Sequence, residues 1–212
     1  MEIEVWSDVV CPFCYIGKRQ MEAALESFEH ADGVTVRYRS YELNPDAPKQ
    51  AAGDLHHFLA AHRGVSLAEA RQMNAGVAAY AASVGLKYDL DHAVPANSFD
   101  AHRLVHLAAV TDRQDQMMEA LHEAYFVEAV DLNNRDSLIE LAVTACLERK
   151  EAVRVLASDA YAADVRADEA EARRLGVTGV PTFVIDRQTA VTGAQPSEVI
   201  LAALRAAWSR LS

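Results

Sequence analysis

Residues 4–18, EVWSDVVCPFCYIGK, change hydrophobic period in mid-stretch, and that change limits the folds open to the chain. Before it, Ile3, Val5 and Trp6 cluster as the β-forming residues of a short buried strand. From Pro12 onward, Ile16, Gly17, Met21, Ala24, Leu25 and Phe28 recur at helical spacing. Pro12 suits the first turn of that helix, where an N–H would have no partner in any case. After Asp32-Gly33, VTVRYRSYEL alternates Val34, Val36, Tyr38 and Ser40 against Thr35, Arg37, Arg39 and Tyr41, the pattern of a second strand. Strand, helix and strand in that order imply two parallel strands joined by a right-handed crossover.

The middle of the chain carries no strand pattern. Ser66 and Glu69 make a capping box, followed by Met73, Val77, Tyr80 and Val84 on one expected apolar face, with Gly85 as a stop. Further helices are expected near 98–111, 115–128 and 136–148. A strand-free segment of about 110 residues is too long for a loop and ample for a small helical bundle. A mixed pattern then returns. A helix near 158–174 has Asp159 and Asp164 early and Arg173 and Arg174 late, complementing its dipole, and Gly176 ends it. TFVID and TAVTG read as a β-hairpin, and Pro196-Ser197-Glu198 starts a closing helix through Val199, Leu201, Leu204 and Trp208. The order is β-α-β, helical insertion, α-β-β-α, an α/β fold in three stretches: 1–45 and 157–212 form one domain, interrupted by an insertion at 46–156.

Composition narrows the partners. A net charge of −11 argues against nucleic acid or an anionic membrane surface. No apolar run approaches a membrane span, and the acidic opening MEIEVW does not resemble a signal peptide. The expected compartment is the reducing cytoplasm, where a disulfide is more often catalytic than structural. Three cysteines are too few for a disulfide framework. No feature sets an oligomeric state.

Cys11 and Cys14 admit three readings: a redox pair, half of a zinc site, or core packing. At the end of a strand and the start of a helix, partial positive charge and free N–H groups favour the thiolate of Cys11, and Cys14 follows within one turn. Dithiol exchange needs this arrangement, with an exposed attacking thiol and a covered resolving one. A zinc site needs two more ligands, and no second C-x-x-C exists. Packing explains neither Pro12 nor the strand-to-helix position. Redox is therefore the favoured reading. Cys146, on an alanine-rich helix, reads as a buried inert thiol. His102 and His106, four apart, lack a third metal ligand, so no metal is expected, and His56, His57 and His62 read as surface residues of a solvated helix.

SDVVCPFCYIGK, GVTGVPTFVID and VTGAQPSE together resemble the DsbA-like branch of the thioredoxin superfamily, close to the FrnE-type oxidoreductases. The resemblance runs the length of the chain and implies a thioredoxin-like fold with an all-helical insertion after the second strand. It implies that Cys11 attacks and Cys14 resolves, with Pro12 and Phe13 between them. It further implies a cis Pro181 facing the pair, and a Val180 backbone that pairs with bound substrate beside Thr182. The substrate would be a protein or small-molecule thiol or disulfide. The redox disulfide itself would serve in place of a cofactor, with glutathione as a candidate co-substrate.

Two departures bear on the chemistry. Related oxidants often carry histidine between the cysteines, where this chain has Pro12-Phe13, so a milder oxidant or an isomerase is expected. The sister branch of kappa-type glutathione transferases and 2-hydroxychromene-2-carboxylate isomerases usually has serine in place of Cys11. A glutathione-dependent isomerase or transferase acting on small aromatic molecules is the alternative that this branch suggests. In that branch, segments similar to NSFDAHRLVHLA line the ligand cleft. The insertion is accordingly expected to act as a lid, with N–H groups at Asn97–Ser98–Phe99 for an anionic group. Phe99 and His102 would border the cleft, and Trp6, Phe13 and Phe99 would form its apolar walls.

Overall fold

The computed structural model describes residues 1–47, 49–50 and 53–211. The chain divides into two compact units, Met1–Leu43 with Val165–Ser212, and Asn44–Asp164. The insertion therefore runs beyond residue 156, the boundary expected from pattern. The division falls inside the helix Ala162–Arg174, and a helical period continues unbroken across such a boundary, so pattern alone does not mark it.

The first unit is built on four strands: β1 (Glu2–Ser7), β2 (Thr35–Ser40), β3 (Thr182–Ile185) and β4 (Thr189–Thr192), in the spatial order β2-β1-β3-β4. β1 pairs in parallel with β2, placing Val5 opposite Tyr38, and antiparallel with β3, placing Val5 opposite Phe183. The parallel pair requires a crossover, supplied by α1 (Pro12–Glu26). The final helix of the chain, Ser197–Trp208, packs beside α1. Ile3, Trp6, Ile16 and Phe183 are among the fully buried side chains, each contributing about 1.5–3 kcal/mol through burial.

Central β1 is covered on both faces, which makes Glu4 the exception that needs a physical account, since it is 1 % exposed. Arg39 Nε donates to its carboxylate at 2.9 Å and Arg187 Nε at 2.8 Å. Arg39 also donates to Asp168 at 2.9 Å. Burial alone would raise the Glu4 pKa, but the hydrogen bonds from Arg187 and Arg39 outweigh it and hold the group below its ordinary value of 4.5. Arg187 reaches Glu4 from the β3–β4 turn, where Asp186 and Arg187 both have left-handed backbone (φ +46° and +56°) without being glycine. The ion pairs, and an N–H donated from Glu2 to Asp186 Oδ1 at 2.8 Å, hold that turn in place.

The second unit is helical: α2 (Leu55–Arg63), α3 (Leu67–Ser83), α4 (Phe99–Ala109), α5 (Gln114–Phe126), α6 (Arg135–Thr144), α7 (Arg149–Leu156) and the first turn of α8 (Ala162–Arg174). Leu104, Met117, Leu121 and Leu138 lie in its core. The capping box at Ser66–Glu69 is present. The face of α3 differs from the one expected: Met73 is exposed, while Ala70, Asn74 and Ala81 are buried. Asn74 turns inward because its amide Nδ2 donates to His56 Nδ1 at 2.9 Å, and the far ring nitrogen of that histidine meets Asp91 at 2.8 Å. His56 is thus buried rather than a solvated surface residue, whereas His57 and His62 are exposed. Cys146 is exposed too, against the expectation of burial. Helix α6 stops two residues before it. Its N–H returns to Val143 O and that of Leu147 to Ala142 O, both at 2.9 Å, closing a helix-ending turn with Cys146 at φ +62°. The closure turns its side chain outward.

Candidate active site

Both cysteines of the C-x-x-C lie at the start of α1. Cys11 is the N-cap residue, with extended backbone (φ −89°, ψ 113°), Pro12 opens the first turn, and Cys14 returns its N–H to Cys11 O at 3.0 Å. The two sulfurs face different partners. Cys11 Sγ donates to Val180 O at 3.7 Å. Cys14 Sγ accepts the Asp8 N–H at 3.4 Å and interacts with the side chains of Cys11 and Ser7. The two are free thiols.

The expected contrast in exposure is absent, since Cys11 is 4 % and Cys14 2 % exposed. What separates them is electrostatic. Burial pushes the Cys14 thiol well above its ordinary value of 9.0, and the neighbouring Cys11 adds to the rise. Hydrogen bonds from the Ser7 side chain and the Asp8 backbone oppose it.

Opposite the pair lies the segment that leads into β3. The Val180–Pro181 peptide bond is cis. Pro181 is buried against Gly17 of α1 so closely that a Cβ at Gly17 would stand 2.7 Å from Pro181 Cγ. Pro181 O accepts the Gly193 N–H at 2.7 Å, tying the segment to the end of β4. Thr182 is buried, with its hydroxyl donating to Gly179 O at 2.8 Å, so that hydroxyl is committed inside its own loop. Phe13 is 41 % exposed beside the cysteines, and Pro12 and Val180 are half-buried. Cys11, Cys14, Pro12, Phe13, Val180 and Pro181 therefore share one unit, at the end of β1 and the start of β3.

Other expected site residues are used differently. Trp6 cannot wall a cleft: it is 0 % exposed, packs with Ala172, Val177 and Val184, and donates its indole N–H to Asp168 O at 3.1 Å. Asn97 belongs to the interior of the helical unit. Its amide donates to Ala47 O at 3.0 Å, and its Oδ1 accepts the Phe99 N–H at 3.1 Å, filling one of the helix-start donors expected to await a ligand. The N-cap of α4 is Ser98. His102 is buried, at 1 % exposure. Phe99 is half-buried, with Lys49 and Arg103 each 5.9 Å from its ring centre. Asp8, Ser7 and Gly17 are the site residues that motif reading passed over. Ser7-Asp8 directly before the cysteine turn was the available signal for the first two.

The family model of DSBA-like thioredoxin domains matches residues 2–205, and the chain belongs to that family of thiol oxidoreductases. Its structure is similar to that of a probable DsbA oxidoreductase from Streptomyces coelicolor, at 43 % identity and a TM-score of 0.94, covering 99 % of this chain and 90 % of the other. The fold is shared with the cytosolic disulfide reductase DsbM of Pseudomonas aeruginosa, at 20 % identity and a TM-score of 0.70 over the whole of both chains. DsbM has also been solved with GSH, a structure 20 % identical with a TM-score of 0.67, covering 97 % of this chain and 100 % of that one. A 2-hydroxychromene-2-carboxylate isomerase is similar at 18 % identity and a TM-score of 0.68, covering 100 % of this chain and 96 % of that one. Among the described residues, no helix is long and apolar enough to cross a membrane.

Proposed function

We propose that the chain catalyses dithiol–disulfide exchange, with Cys11 attacking and Cys14 resolving, and that it works as a reductase or isomerase rather than a strong oxidant. The observation that carries this reading is the different setting of the two sulfurs. Cys11 stands at the N-cap against the Val180 carbonyl, while Cys14 is enclosed and its thiol is pushed up by burial. The Cys11 thiolate attacks one sulfur of a substrate disulfide, forming a mixed disulfide and releasing one substrate thiolate, which takes up a proton. Cys14 then attacks the Cys11 sulfur, the Cys11–Cys14 bond forms, and the second substrate thiolate departs and is protonated. The substrate gains two electrons and the protein loses two. Two molecules of a small thiol such as glutathione would reset the pair, leaving as their disulfide. Pro12-Phe13 in place of a cationic residue supports the milder potential, and the cytoplasm is the compartment in which such a reductase would be kept reduced.

Trapping tests the reading, in a Cys146→Ser background because that thiol is exposed. Cys14→Ser should accumulate mixed disulfides, Cys11→Ser should lose exchange activity, and alkylation at neutral pH should favour Cys11. Equal alkylation of both thiols, with activity surviving in Cys11→Ser, would sink the assignment.

A further inference from the structure

Asp8 lies just past the end of β1, three residues before Cys11, and is 0 % exposed. Its carbonyl accepts the Cys11 N–H at 3.1 Å. Its own N–H donates to Cys14 Sγ at 3.4 Å. Its carboxylate spans the turn, accepting the Leu43 N–H on Oδ2 at 2.7 Å and the Val10 N–H on Oδ1 at 3.4 Å. Asp8 thus meets Cys11 only at its backbone N–H but reaches the sulfur of Cys14 itself, and its side chain fixes the backbone that does so. A buried carboxylate is costly unless it is hydrogen-bonded, and here it is held by the backbone it orders, since an apolar residue would leave the Leu43 and Val10 N–H groups without this acceptor.

We propose that Asp8 is the positioning residue of the resolving thiol. Its carboxylate anchors the turn between Leu43 and Val10 and so keeps the Asp8 N–H aimed at Cys14 Sγ. When Cys14 attacks, its sulfur must carry negative charge in a site that excludes water, and this N–H is a fixed donor to that charge. The inference rests on the dithiol reading above, and it adds a division of labour: Asp8 governs the second half of the exchange and leaves the first to Cys11.

Ellman's reagent separates the two halves, again in the Cys146→Ser background. Attack by Cys11 releases one coloured thiolate and leaves the other half of the reagent on Cys11. Attack by Cys14 releases the second and closes the protein disulfide. In Asp8→Ala the first phase should stay within about twofold, while the second slows about tenfold or more, because hydrogen bonds to charged sulfur are of the strong kind. Losing a donor to the thiolate raises the Cys14 pKa, so the pH profile of the second phase should move upward. Asp8→Asn keeps one oxygen for Leu43 and should remain within about threefold of the parent, as expected of an anchor whose main bond survives. An unchanged second phase in Asp8→Ala overturns the proposal, as does equal slowing of both phases. Should Asp8→Ala not fold, Asp8→Asn decides alone, and a tenfold loss there overturns positioning in favour of proton transfer by the carboxylate. Cys14→Ser runs alongside. If it too releases both equivalents, the dithiol reading itself has failed, and not the role of Asp8 within it.

Discussion

Gly17→Ala tests how tightly α1 is pressed on the segment opposite the cysteines. In an open helix position this substitution stabilises, by roughly 0.5–1 kcal/mol, because alanine loses less backbone entropy than glycine. At Gly17 the added methyl would meet Pro181 Cγ at 2.7 Å and Phe183 Cζ at 3.3 Å. The first is a ring atom that cannot swing aside without its backbone, and the second belongs to a fully buried side chain. Overpacking of this kind costs about 1–3 kcal/mol, so the sign reverses and a net loss of about 1.5 kcal/mol remains. For a chain of this size that is a fall in Tm of about 3–6 °C. Gly76, in exposed α3, has nothing within 4 Å of the same added atom, so Gly76→Ala is the internal control and should be neutral or stabilising. Relief of the contact would move Pro181 and, with it, the Val180 carbonyl that Cys11 faces at 3.7 Å, so the first phase of thiol exchange should slow as well. Calorimetry on both variants decides it. If Gly17→Ala melts at or above the parent, as Gly76→Ala should, the close packing at Pro181 is not what holds the glycine there.

Two further outcomes follow from the ion pairs and from the exposed thiol. The Glu4 carboxylate binds its proton less tightly folded than unfolded, so its stabilisation is full above the ordinary value of 4.5 and fades as pH falls through the lower folded value. Glu4→Gln should cost about 1.5–3 kcal/mol at neutral pH, because half-buried Arg39 loses a charged acceptor while Arg187 stays open to water, and its stability should fall less steeply on acidification below that value. Urea unfolding at a series of pH values checks this, and an acid slope equal to that of the parent would count against it. Cys146→Gly should raise stability by about 0.5–1 kcal/mol, because glycine accepts the left-handed backbone that Cys146 holds at φ +62°. It should also remove the most exposed thiol of the native chain while leaving Cys11–Cys14 exchange unchanged.

Sequence pattern carried the architecture because the two repeat lengths, two residues and three to four, switch at identifiable places. The switch at Pro12 sets the cysteines on a helix start, and the return of strand pattern at Thr182 gives β3 and β4. Most of the residues misread share one property, that their roles depend on partners far along the chain, and Cys146 is the local exception. A buried tryptophan in a strand and one lining a cleft look alike until Trp6 is seen donating to Asp168, 162 residues away. Asn97 had the composition of a ligand reader, but its amide is occupied by Ala47, 50 residues earlier. Cys146 was judged by its alanine neighbours, whereas its exposure follows from where α6 ends. Asp8 was visible only as an acid in a turn, since Leu43, whose N–H its carboxylate accepts, is 35 residues on.

With 4 % and 2 % exposure, access does not tell the two cysteines apart, and what distinguishes them is the partners of each sulfur and the raised thiol of Cys14. Burial holds the Cys14 thiol up, and its hydrogen bond and charge interaction with Cys11 hold it up further. The second contribution lasts only while the Cys11 sulfur can be an anion. Once Cys11 has attacked, its sulfur is neutral in a mixed disulfide, and the repulsion it exerted is gone. The Ser7 hydroxyl and the Asp8 N–H, which act in the opposite direction, remain in place. Cys14 is therefore easier to ionise after the first step than before it, by the chemistry of that step itself. On the dithiol reading, loss of the Cys11 charge times the resolving attack, and the Ser7 hydroxyl and the Asp8 N–H already face the sulfur that then becomes an anion.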